Sequence, residues 1–121
     1  MSVAERNQAI SLCTDLLKQI GWDWNTPRVR DWLDRVMKIK YKQELISLSA
    51  VPTRTFVSLA VYLDLRWQCH IRLTSLNLNW QSPVVNEIRQ QYGTVDTLPV
   101  KGYRQLLEEL DMMQALDPIP F

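Results

Sequence analysis

Glycine is scarce in this chain: three in 121 residues, at positions 21, 93 and 102. So few, so scattered, cannot build a phosphate-cradling loop, and no G-x-x-x-x-G-K-[ST], G-x-G-x-x-G or G-x-S-x-G run occurs. Histidine occurs once, as His70 beside Cys69. Adjacent side chains diverge by about 100° on a helix and point to opposite faces on a strand, so the two cannot work together as nucleophile and base. Cysteine occurs twice, at 13 and 69. An oxidised secreted domain of this size carries more, so both are expected to be buried free thiols. A zinc site needs about four ligands, and neither C-x-x-C nor H-x-x-x-H is present. Carboxylates such as Glu44 and Asp64 would have to meet in a pocket to do acid–base work, and their spacing does not require it. The expectation is therefore a chain with no catalytic, cofactor or metal residues.

Long apolar runs are also missing. The most apolar stretch, Phe56 to Leu63, is closed by Asp64, far short of the roughly 20 residues that span a bilayer. The opening MSVAERNQAI lacks the basic and apolar regions of a secretory signal. A cytoplasmic chain with no membrane partner is expected. Net charge is nearly absent as well, at +1, which excludes a polybasic or acidic tail as the main device.

What is present is a core. Hydrophobic residues make up 46% of the chain, five of them tryptophan, enough to exclude global disorder. Ser2 with Glu5 fits a capping box, and Ile10, Cys13, Leu17 and Ile20 follow at helical spacing, ended by Gly21. Thr26-Pro27 and Ser82-Pro83 each read as an N-cap followed by proline at the first helical position. They open helices over Pro27 to about Ile39 and Pro83 to Tyr92. Tyr41 to Leu48 reads as a short helix, and another runs from about Pro52 to at least Trp67. Residues 74–81 alternate Leu76, Leu78 and Trp80 with Asn77 and Asn79, which fits a short strand or an irregular loop, the loop being preferred for want of a partner strand. Tyr103, Leu106, Leu107, Leu110 and Met113 form a last amphipathic stripe. No internal repeat is apparent. The expected fold is all-α, a single domain over residues 1–121, a compact bundle of five or six helices with short Pro- and Gly-marked turns.

Charge is unevenly spread beneath the total. Residues 27–72 hold nine bases against four acids, and both flanks are net acidic. Clustered Lys and Arg are the footprint of phosphate binding. A solvated helix face laced by Asp31–Arg35 and Asp34–Lys38 pairs would account for them equally. Arg28, Arg35, Lys38, Lys40 and Lys42 are the candidates here.

Within this basic middle, the run from Lys42 to Leu59 resembles a helix-turn-helix of the repressor type. It opens Gln43-Glu44-Leu45, and Leu45, Val51, Phe56 and Leu59 fall where that motif packs apolar side chains. The resemblance implies a short helix, a tight turn and a second helix entering the major groove of duplex DNA. It places Thr53, Arg54, Thr55 and Ser58 near phosphates or base edges, with Arg54 able to meet guanine. It implies a small regulatory protein, expected as a homodimer. Two bundle helices joined by a Pro-marked turn remain the alternative.

A protein–protein adaptor is the other reading. Trp22, Trp24 and Trp80 fall in connectors, and exposed indoles are common in interface hot spots. They could equally cover the ends of the bundle. Phe121 ends a Pro-rich tail able to dock on a partner. Glu108, Glu109 and Asp111 crowd the end of the last helix against its macrodipole, so a basic partner or a second copy is expected to accept them.

Overall fold

The computed structural model describes residues 2–45, 47–94 and 97–116. They form five α-helices: α1 (Val3–Ile20), α2 (Pro27–Tyr41), α3 (Thr53–Ser75), α4 (Pro83–Tyr92) and α5 (Val100–Leu116). A single 3-10 turn covers Leu48–Ala50, and no strand occurs among the described residues. The fold is all-α. Thr74 and Ser75 end α3, and residues 76–82 are loop without a strand, with Asn77 in the left-handed region at φ 57°. The tail that ends in Phe121 lies outside the described residues, as does Ile46.

Most helix ends follow from local chemistry. The Ser2 hydroxyl accepts the Glu5 amide at 3.1 Å. Gly21 and Gly93 close α1 and α4 at φ 86° and 65°, a conformation that costs glycine nothing. One expectation fails. Tyr41 to Leu48 is not a helix: Lys42 turns left-handed at φ 52° and closes α2, and residues 42–45 follow without regular structure. Arg6 then fixes the linker from outside, donating to the carbonyls of Val51 at 2.6 Å and of Leu48 and Ser49 at 3.2 Å. Thr26 and Ser82 do stand at the N-caps before Pro27 and Pro83, but without a side-chain cap bond. Their hydroxyls reach backwards, accepting the amides of Asp23 and Asn79, each at 2.9 Å.

That shared detail exposes a repeat that is hidden in the sequence. The chain divides into two compact units, Met1–Asp64 and Leu65–Phe121. Asp23-Trp24-Asn25-Thr26-Pro27 in the first answers Asn79-Trp80-Gln81-Ser82-Pro83 in the second. Asp23 Oδ1 accepts the Asn25 amide at 2.8 Å, and Asn79 Oδ1 accepts the Gln81 amide at 2.9 Å. The Cys13 thiol meets the Phe56 carbonyl at 3.1 Å, and the Cys69 thiol the Tyr103 carbonyl at 3.5 Å. Trp24 stands edge-on to Phe56, as Trp80 does to Tyr103, with interplanar angles of 90° and 88°.

The buried positions correspond in the same way. Cys13 and Cys69, Leu17 and Leu73, Val29 and Val85, Val51 and Leu98, Leu59 and Leu106, and Leu63 and Leu110 are all at most 3% exposed. Each unit is thus a helix, a tryptophan connector, a second helix and a proline-led third helix around one core. The first half of α3 is the third helix of unit 1, and its second half is the first helix of unit 2.

Candidate functional site

Because the two units share a frame, the places where they differ are informative. The first is length. Cys13 to Cys69 and Pro27 to Pro83 are 56 positions apart, whereas Pro52 to Pro99 and Phe56 to Tyr103 are 47 apart. Unit 1 therefore carries an insertion between its second and third helices. Part of it lengthens the helix, since α2 has 15 residues and α4 has 10. The added turn and cap hold Lys38, Lys40 and Lys42. Met37, at 1% exposure, anchors the turn in the core of unit 1.

Arg35, Lys38, Lys40 and Lys42 are all exposed. Arg35 and Lys38 stand three apart on one face of α2, and Lys42 follows at its left-handed cap. The Asp34 carboxylate lies 3.0 Å from Lys38 Nζ and holds that ammonium above its ordinary range, chiefly through the hydrogen bond. The Asp31–Arg35 pair does not form among the described residues. Cations at a helix C-terminus also complement the macrodipole, so local structure tolerates them well. Arg28, at the other end of α2, is half-buried with its guanidinium 5.5 Å from the Trp22 ring centroid.

The helix-turn-helix candidates are dispersed. Thr53 and Ser58 are half-buried, and Arg54 is exposed. Thr55 is only 2% exposed, its hydroxyl buried without a partner among the described residues. It cannot reach a base edge, because the register that exposes Arg54 turns the next side chain into the core; the equivalent residue in unit 2 is the buried Gly102.

The connector tryptophans are half-buried and engaged. Trp24 Nε1 donates to Thr14 Oγ1 at 3.2 Å. Trp80 stacks on His70 at 6.4 Å and carries the Arg66 guanidinium 4.2 Å from its centroid. Arg66 is 6% exposed and donates to the Tyr103 hydroxyl at 2.9 Å. Unit 2 thus sets an arginine and a tyrosine where unit 1 has Ile10 and Phe56. Of the acids at the end of α5, Asp111 is met within its own unit by Arg72, at 2.6 Å.

The second difference is a surface. In unit 1 a groove of about 280 Å³ runs between α1 and α3, lined by Ala9, Leu12, Leu16, Val57, Ala60, Val61 and Asp64. Leu12, Val57 and Val61 are 52%, 47% and 41% exposed. The signal for this stripe in the sequence is the i, i+3, i+4 spacing of Val57, Ala60 and Val61.

No group of three or more potential metal ligands occurs among the described residues. None of their helices is long and apolar enough to cross a membrane. Comparison with protein-family models, curated proteins and solved structures finds no match.

Proposed function

We propose that the chain is a non-catalytic regulatory protein that binds nucleic acid, taking backbone phosphates on the basic end of α2. The observation that carries this reading is the insertion. An extra turn, present in one unit of a repeated frame and absent from the other, places Lys38, Lys40 and Lys42 in solvent beside Arg35. Core packing demands only Met37 of that turn, so its cations are available for recognition. Phosphate contact positions a protein without reading bases, and the burial of Thr55 favours that mode over direct base readout.

Anisotropy titration of a labelled duplex tests the proposal. Four phosphate contacts give an affinity that falls about a hundredfold between about 50 and 200 mM salt. Replacing Lys38, Lys40 and Lys42 by Gln removes about three contacts from that salt slope. No binding at low salt, or binding indifferent to salt, would overturn the proposal. A second reading, protein–protein association, is favoured by a separate observation, the apolar groove of unit 1.

A further inference from the structure

We infer that the α1/α3 groove of unit 1 is a self-association surface, closed by a second copy of this chain across a two-fold axis. The frame does not require an apolar face there. At the positions equivalent to Leu12, Leu16, Val57, Val61 and Asp64, unit 2 carries Gln68, Arg72, Arg104, Glu108 and Asp111. Three of these side chains meet within unit 2, with Arg72 paired to Asp111 at 2.6 Å and bonded to Gln68 Oε1 at 3.0 Å. The same scaffold therefore closes this face with an ion pair in one unit and leaves it apolar and open in the other. Exposed valines and a leucine around one groove are costly to leave in water and mark a surface that is covered.

The charges at its ends identify the cover. Along α3 the exposed stripe reads Arg54, Val57, Val61, Asp64, at spacings of three, four and three, as in a packed helix seam. A cation stands at one end and an anion at the other. Neither has a side-chain partner among the described residues. They are ten residues apart, about 15 Å along one helix, and cannot pair with each other within one chain. An antiparallel second copy, with its axis crossing α3 at the level of residue 59, satisfies both at once. Arg54 then faces the second copy's Asp64, Asp64 faces its Arg54, and Val57 meets Val61 on each side. This is the self-complementarity that an isologous two-fold interface requires. With α1 flanking α3 in each copy, the product is a four-helix packing with Leu12 and Leu16 along its seams. The inference does not depend on phosphate binding, and it assigns Arg54 to the dimer rather than to DNA.

Sedimentation velocity of the full chain without nucleic acid, over a concentration series, tests it. The wild type should form a reversible species of twice the 14.2 kDa chain mass, still present at about 200 mM salt because its centre is apolar. Val61→Glu should raise the dimer dissociation constant by about a hundredfold or more while the helical circular dichroism is unchanged. Arg54→Asp alone sets like charges opposite each other twice and should weaken the dimer by about tenfold. The double swap Arg54→Asp with Asp64→Arg restores both pairs and should return the constant to near wild type. A wild type that stays monomeric throughout overturns the inference and leaves the groove to a different protein. A dimer indifferent to Val61→Glu places the interface elsewhere, and a swap without rescue refutes the antiparallel register. A wild type that dimerises but does not bind duplex at low salt would count against the phosphate reading alone.

Discussion

The two units solve one packing problem with different polarity. In unit 1 the third-helix aromatic is Phe56, with Ile10 on the first helix and Arg6 reaching over the ring at 5.1 Å to hold the linker. In unit 2 the aromatic is Tyr103, whose hydroxyl accepts from a buried arginine, Arg66. The changes are coupled: an arginine in place of Ile10 would be a buried charge without its acceptor, and a hydroxyl in place of Phe56 would lack its donor. Outside the core the contrast reverses. Unit 2 ties up its surface with the Arg72–Asp111 pair, whereas unit 1 leaves cations and an apolar groove in solvent. The shared frame supplies stability in both, and unit 1 adds surfaces that stability does not need.

The sharpest way to break this comparison is in the core. Leu59→Ala and Leu106→Ala delete equivalent side chains, each 0% exposed, and each should cost about 2–5 kcal/mol in chemical denaturation. If the units share a frame, the two losses agree within about 1 kcal/mol; a negligible loss at either position would break the equivalence. Tyr103→Phe should cost about 1–3 kcal/mol, because it takes an acceptor away from the buried Arg66. Phe56→Tyr should also destabilise, by about 1–3 kcal/mol, since Ile10 offers no donor. A neutral Tyr103→Phe would show that the polar pair does not hold unit 2.

The thiols supply a pH test common to both units. Burial pushes Cys13 and Cys69 up to about 12, from an ordinary 9.0. Between those values the unfolded chain releases the thiol protons and the folded chain keeps them. Stability is therefore fully present below about pH 9 and falls as pH rises from there toward 12, by up to about 1.4 kcal/mol per pH unit for each thiol. Urea midpoints at pH 8 and pH 10 measure the fall, and replacing both cysteines by Ala should flatten it. An equally steep fall without the thiols would assign it to other groups.

Much of the fold was legible in the sequence. Apolar spacing, Pro27, Pro83, Gly21 and Gly93 act locally, and they set the bounds of α1 and α4 and the start of α2. The repeat was not legible, for a physical reason. The connectors agree in hydrogen-bonding type rather than identity, Asp with Asn and Thr with Ser, and the core agrees only in burial. The insertion then changes the offset part-way along the chain. The segment after Tyr41 failed because its conformation is set by Lys42 turning left-handed and by Arg6 binding the linker from 42 residues or more away, neither of which is visible in a local window. Segment charge points to the exposed basic end of α2, but the resemblance puts Thr55 at a groove while its side chain faces the core, since a sequence resemblance carries no information on which way the third helix faces.

The proposed phosphate site is the turn that unit 1 carries beyond the shared frame. Amide chemical shifts of the labelled chain, followed as duplex DNA is added at low salt, test it directly. Changes concentrated over about residues 35–44 are expected, with the equivalent end of α4 and its Gly93 cap unmoved. Changes centred on α4 and α5, or no changes at all, would contradict it.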